Sequence, residues 1–187
     1  DVFMSGNAAA GNIEGFVAVL DNAFFQSTVN FVGQNYGARQ FKRAKKATVL
    51  CLICNAVSTF AASMLAIGFG PQLLSIYITD SPQAIECGMI RMSVVCATWF
   101  IASLMDTTTS ALRGMGASAV PMVISVLGVC GLRIGWLATI FQANPTPQCL
   151  YLSYPVSWTI TFLCQMVAFL LVYKKQSQAY TRPLSSI

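Results

Sequence analysis

Four long apolar stretches dominate the sequence and limit what the chain can fold into. They cover about residues 47–69, 84–112, 120–141 and 150–173, and each has the length of about 20 residues that a helix needs to cross a bilayer. Charged residues make up only 9% of the chain, whereas soluble domains carry about 25%. The chain has too few charges to cover a water-facing surface, so an all-α integral membrane protein is predicted.

A fifth segment, about residues 8–34, has the length of a span but carries many polar side chains. Glu14 and Asp21 are seven residues apart, almost two helical turns, so both carboxylates fall on one stripe of the helix. A neighbouring stripe holds three amides at intervals of four residues, namely Asn22, Gln26 and Asn30. We therefore expect a fifth helix whose polar face lines a cation or proton path. Hydrogen bonding between helices is the alternative role for this face.

Other polar side chains lie deep inside the predicted spans. Asp106 is seven residues before Arg113, which places it about 10 Å inside the membrane if Arg113 marks the inner boundary. Thr109 follows on the same helix and is predicted, together with the three amides of the fifth segment, to line a polar cavity. Arg133 lies near mid-depth of the fourth span, where it should pair with Asp21 or Asp106. A carboxylate at this depth is by default a functional candidate, and a structural ion pair with Arg133 is the alternative.

Asp106, Asp21 and Glu14 are thus the candidates for coupling to a cation or a proton. A deep, deprotonated carboxylate attracts positive charge, and Na⁺, H⁺ and a drug cation would compete for it. Histidine is absent from the chain, which removes the commonest metal ligand. Na⁺ at Asp106 is therefore the one metal expected, and neither a cofactor nor an enzymatic activity is predicted.

Basic residues mark one side of the predicted bundle. The loop after the first span carries five of them within residues 39–46, Arg113 follows the third span, and residues 174–175 follow the fifth. Lys and Arg accumulate in cytoplasmic loops, so the pattern predicts a multi-pass protein of the cell (inner) membrane with a cytoplasmic C-terminus. Residues 1–176 then form the transmembrane lobe and residues 177–187 a cytoplasmic tail. Because topology explains the basic loop, no nucleic-acid partner is expected.

Several short segments resemble helices of bacterial MATE (multidrug and toxic compound extrusion) transporters. Gly-Asn-Ile-Glu-Gly-Phe at 11–16 and Asn-Phe-Val-Gly-Gln-Asn-Tyr-Gly-Ala at 30–38 are similar to their eighth helix. Ser-Ala-Leu-Arg-Gly-Met-Gly at 110–116, followed by Val-Pro-Met at 120–122, is similar to the end of their tenth. Leu-Arg-Ile at 132–134 and Tyr-Pro-Val-Ser-Trp at 154–158 look like their eleventh and twelfth. The order of these segments agrees with the predicted topology.

The resemblance implies a twelve-helix fold of two six-helix lobes around a cavity, with the five helices here corresponding to the eighth to twelfth. It implies a secondary active multidrug exporter that exchanges organic cations for Na⁺ or H⁺. Asp106 matches the acid on the family's tenth helix, in a cation site whose second acid lies on the seventh. The implied partners are the lipid bilayer, organic cation substrates, and the seventh helix and N-terminal lobe of the same parent chain.

Three other functions are compatible with some of these features. A flippase for a lipid-linked glycan belongs to the same wider superfamily, but its cavity should be more cationic than one holding Glu14 and Asp21 against Arg133. An intramembrane aspartyl protease would use Asp21 and Asp106, but neither acid follows the Gly-x-Gly that such enzymes share. Without its partner lobe, the chain would be an inert membrane fragment.

Overall fold

In this computed structural model, residues 2–79, 81–143 and 145–181 are described, and almost all of them are helical. None of these described residues lies in a strand, so the all-α prediction is confirmed. In chain order the elements are α1 (Val2–Gly37), α2 (Phe41–Gly68), α3 (Gly70–Tyr77), α4 (Pro82–Val95), α5 (Trp99–Gly114), α6 (Ala119–Ser125), a π-helical segment (Val126–Gly131), α7 (Leu132–Ala138), α8 (Ile140–Ala143) and α9 (Pro147–Thr181).

Three helical runs in the described residues are long and apolar enough to cross a membrane, namely Phe41–Gly68, Ala119–Ala143 and Pro147–Gln178. The bent pair of α4 and α5 makes a fourth if it forms one span. The chain is thus a multi-pass membrane protein. α1 is a continuous helix of 36 residues, but its polar side chains keep it outside this set, so the predicted span over residues 8–34 stays a prediction.

The prediction of one continuous helix over residues 84–112 is wrong. α4 and α5 meet at an angle of 49°, and at the bend the amides of Thr98 and Trp99 bond to carbonyl oxygens three residues back. The Thr98 hydroxyl also donates to the Val94 carbonyl oxygen at 2.7 Å, and it thereby competes with the backbone for an acceptor. Neither glycine nor proline stands between α4 and α5, so the usual sequence signals of a kink are missing.

Several helices differ from their predicted bounds. α2 already begins at Phe41, and α9 ends at Thr181, so residues 177–181 of the predicted tail continue the last helix. Residues 182–187 lie outside the described residues. The predicted fourth span is not α-helical throughout, because it contains the π-helical segment. In that segment Gly128 packs closely against α9, where an added Cβ would collide with the side chain of Thr161. α3 (Gly70–Tyr77) lies between the second and third predicted spans.

α1 packs against α2, α4 and α5, and small residues let the backbones approach closely. A Cβ on Gly6 would collide with the backbone carbonyl oxygen of Ala84 in α4. Gly114 of α5 likewise lies against the backbone of Gly33. Small residues at contacts are usual between membrane helices. Large apolar side chains point outward, among them Leu65, Leu127, Ile134 and Leu171, as expected for a surface in contact with lipid.

Candidate cation site

Asp21 and Asp106 come from different helices and meet in the interior of the bundle. Asp21 of α1 is 5% exposed, Asp106 of α5 is half-buried, and the two carboxyl groups lie within hydrogen-bonding reach of each other. Two ionised carboxylates this close repel each other strongly in a medium of low dielectric constant. A proton shared between them, or a cation bound to both, removes that repulsion. The pair therefore has the chemistry required for ion coupling.

Asn55 of α2 completes the link between the two helices that carry the acids. Its Nδ2 donates to Asp21 Oδ1 at 2.6 Å and to Thr107 Oγ1 of α5 at 3.0 Å. Its side chain is fully buried, and within the described part of the chain no donor contacts its Oδ1. Sequence analysis missed Asn55, although an amide within an otherwise apolar span is itself a signal of a polar contact at membrane depth.

Hydroxyl groups of α2 and α5 extend this polar cluster. Thr59 Oγ1 donates to Ser103 Oγ at 3.1 Å, and the Thr107 hydroxyl donates to the Ser103 carbonyl oxygen at 2.8 Å. All three side chains are buried. Because carboxylate, amide and hydroxyl oxygens are hard ligands, the cluster suits a hard cation better than a soft metal. The described residues contain no group of three or more His, Cys, Asp or Glu that could hold a metal ion.

Trp99, the first residue of α5, joins the carboxylate pair to an aromatic cluster. Its indole lies beside Asp21, although the buried Nε1 does not reach a hydrogen-bonding geometry with any described acceptor. The Trp99 ring packs edge-on against Trp158 of α9 at a centroid distance of 5.9 Å, and Trp158 contacts Tyr154 at 5.6 Å. The bend between α4 and α5 brings Trp99 here, which sequence reasoning did not anticipate.

Glu14 lies apart from this pair and has its own partner. Arg91 of α4 donates from Nε and Nη2 to the two Glu14 carboxylate oxygens, both at 2.7 Å. Arg91 Nη1 also donates to Asn7 Oδ1 at 2.6 Å, and the Tyr151 hydroxyl of α9 donates to the same oxygen at 3.2 Å. The ion pair neutralises Glu14 without an external cation. Glu14 is therefore a weaker candidate for coupling than Asp21 or Asp106.

The expected ion pair between Arg133 and either Asp21 or Asp106 is wrong. The Arg133 guanidinium lies 3.9 Å from the centroid of the Tyr154 ring, and its Nε donates to Ser157 Oγ at 3.2 Å. Within the described residues, the one salt bridge joins Arg91 to Glu14 and does not involve Arg133. Depth estimated from residue counts could not show that Arg133 faces α9 and not α1 or α5.

The predicted cavity-lining residues separate into two groups. Asn22, Gln26 and Asn30 are all exposed on α1, where an uncovered polar face is available to a cavity. Thr109 is buried instead, and its hydroxyl donates to Gln165 Oε1 of α9 at 2.9 Å. Gln165 Nε2 in turn donates to Ser125 Oγ at 2.9 Å. Thr109 therefore joins α5 to α9 through hydrogen bonds and does not share the exposed face of α1.

The fold and the paired carboxylates define a multi-pass helical membrane protein with a buried polar cluster inside its bundle. A family model, MatE, matches residues 1–138, a range that contains Asp21, Asn55, Asp106 and Arg133. The chain belongs to the MatE family, which consists of membrane transporters, and the resemblance noted in the sequence is confirmed. No curated protein shows a significant match to the chain.

Proposed function

We propose that this chain forms the ion-coupling part of a secondary active exporter, which moves organic cations out of the cell in exchange for Na⁺ or H⁺. The observation that carries the proposal is the contact between Asp21 and Asp106 inside the bundle. In contrast to Glu14, neither acid forms a salt bridge with a described residue, and Arg113 acts on Asp106 from a longer distance. A bound cation or proton that can leave would then balance their charge.

The mechanism follows from competition for this pair. When Na⁺ or H⁺ is bound, the repulsion between the carboxylates is relieved and α1 and α5 pack closely. An organic cation that reaches Asp106 can neutralise the same charge, so the two occupants exclude each other. Because each occupant stabilises the arrangement of helices that it fits best, exchange of one for the other shifts the populations of the two arrangements. Rocking of one lobe against another then changes the side to which the site opens.

The arrangement of the surrounding protein is part of the same proposal. The exposed amides Asn22, Gln26 and Asn30 would line a central cavity, with a seventh helix and an N-terminal lobe of the same parent chain on its other side. Because basic residues accumulate in cytoplasmic loops, the basic residues 39–46 support an inner-membrane protein in which the end of α9 lies in the cytoplasm. Cysteine labelling at Gln40 and Thr146, in a background free of native cysteines, tests this orientation. Only Thr146 should react from outside intact cells.

The test of function uses the full-length transporter in proteoliposomes that contain ethidium. An imposed Na⁺ or H⁺ gradient should drive ethidium movement in the wild type. Asp106→Asn and Asp21→Asn should each lose at least about 10-fold of that activity, equivalent to about 1.4 kcal/mol, at normal abundance in the membrane. Thr159→Ala is the control, because Thr159 is exposed on α9 and its hydroxyl donates to the Pro155 carbonyl oxygen of its own helix. Normal ion-driven efflux in both Asp variants would refute the proposal, and movement of a lipid-linked glycan without ion dependence would favour a flippase.

A further inference from the structure

Three lysines lie on one face of α2 where that helix begins. Lys42, Lys45, Lys46 and Val49 have the i, i+3, i+4, i+7 spacing of a single helix face. The same residues, with Tyr173 of α9, line a cleft of about 450 Å³. A second cleft of about 600 Å³ shares Lys42 and Tyr173 in its lining. These two adjoining clefts together form the basic cleft.

Among the residues that the structure describes, no acidic side chain lines the basic cleft. Lys45 Nζ lies 5.8 Å from the centroid of the Tyr173 ring, and this cation–π contact holds the ammonium at the mouth of the cleft. Lys42 and Lys46 form no ion pair with any described residue. Uncompensated positive charge in a concave surface attracts anions, so the basic cleft has the electrostatics of an anion site.

The same face of α2 continues toward the membrane as exposed apolar surface. Val49, Ile53 and Val57 follow at four-residue intervals and are 45%, 57% and 63% exposed. A ligand with an anionic head and apolar chains fits this succession better than a soluble phosphate, because only the former can cover the apolar part. We infer that the basic cleft binds the phosphate of an anionic phospholipid, with an acyl chain along α2. Its assignment to the cytoplasmic leaflet rests on the orientation proposed above.

Membrane topology alone does not require this arrangement. The positive-inside rule depends on the number of Lys and Arg residues near the ends of spans, not on their sharing a helix face or a cleft. Lys174 and Lys175 contribute equally to that count, yet they do not line the basic cleft. They provide a matched control, since replacing them removes the same charge from the same side of the membrane.

The experiment measures lipid retention by the purified full-length protein in detergent. Native mass spectrometry titrates phosphatidylglycerol and, separately, phosphatidylcholine, and inorganic phosphate is added as a competitor. The wild type should retain phosphatidylglycerol preferentially. Lys45→Gln/Lys46→Gln should weaken that retention about 25-fold, equivalent to about 2 kcal/mol for two lysines near a membrane surface. Lys174→Gln/Lys175→Gln should change it less than about twofold, which corresponds to about 0.4 kcal/mol.

Equal losses in the two double variants would show that only overall charge matters and would overturn the inference. So would the absence of a preference for phosphatidylglycerol in the wild type. Displacement by millimolar inorganic phosphate would instead identify a site for free phosphate and would reject the lipid. The readout needs neither transport nor a known orientation, so a protein that fails to export ethidium can still retain the lipid. Failure of the proposed function is thereby distinguishable from failure of this inference.

Discussion

The amide of Asn55 donates a hydrogen bond of 2.6 Å to the carboxylate of Asp21 on the neighbouring helix. This bond joins α1 to α2 at the level where Asp106 of α5 meets Asp21. Asn55 therefore fixes the position of one member of the carboxylate pair, and its orphaned Oδ1 is a further oxygen close to the site. The relationship makes Asn55 the most informative position for mutation.

Asn55→Leu should reduce ion-driven efflux by about 10- to 100-fold, because a hydrogen bond to a charged group contributes about 1.5–3 kcal/mol. Leucine preserves the approximate volume but donates nothing to Asp21. Ethidium efflux from proteoliposomes at matched protein levels measures the effect. Cys54→Leu is the control, since Cys54 is the neighbouring residue on α2 and is exposed. Equal activity of Asn55→Leu and wild type would show that Asn55 does not position Asp21.

The ion pair between Glu14 and Arg91 should stabilise the bundle without taking part in coupling. Glu14→Gln or Arg91→Gln alone leaves an uncompensated charge in a buried site, at a cost of about 3–5 kcal/mol. The double variant Glu14→Gln/Arg91→Gln should recover most of the lost stability. Thermal denaturation of the full-length protein in detergent checks this, with Glu86→Gln as a control because Glu86 is exposed. A double variant as unstable as the sum of the single ones would contradict the pairing.

Arg133 should act independently of Asp106, since its contacts are with Tyr154 and Ser157. In a double-mutant cycle, Asp106→Asn and Arg133→Gln should therefore be additive within about 0.5 kcal/mol. Asp21→Asn and Asp106→Asn, whose carboxyl groups interact directly, should deviate from additivity by more. Thermal stability of the three single variants and of the two double variants provides the measurement. If Arg133→Gln recovered the stability lost in Asp106→Asn, the two side chains would interact, contrary to the contacts that the structure shows for Arg133.

Gly6→Ala should destabilise the contact between α1 and α4, because the new Cβ would collide with the Ala84 carbonyl oxygen. Gly15→Ala is a matched control on the same helix, where a Cβ meets nothing within 4 Å. Alanine in a helix is favoured over glycine by about 0.5–1 kcal/mol, so Gly15→Ala should leave the melting temperature unchanged or raise it. A similar response of the two variants would show that α1 and α4 do not approach as closely as described.

The sequence alone determined the class of this protein, because a 20-residue apolar run has few alternatives to a membrane helix. The order of short motifs such as 110–116 was also sufficient to place it in its family. Asp21 and Asp106 were recognised as candidates because burial of a carboxylate in a membrane is costly wherever it occurs. These properties depend on composition and on spacing within a single segment, so they can be recognised without knowing how the segments pack together.

Tertiary structure decided which of these groups act together. Spacing along one helix cannot show which neighbouring helix a side chain faces, and so Arg133 was assigned to the carboxylates although it packs on Tyr154. Asn55 was passed over, yet it binds Asp21 from 34 positions away in the chain. The bend before Trp99 contains neither glycine nor proline, and the Thr98 hydroxyl donates to the Val94 carbonyl oxygen beside it. Partner choice between helices is set by packing of distant segments, and that information is distributed over the whole chain.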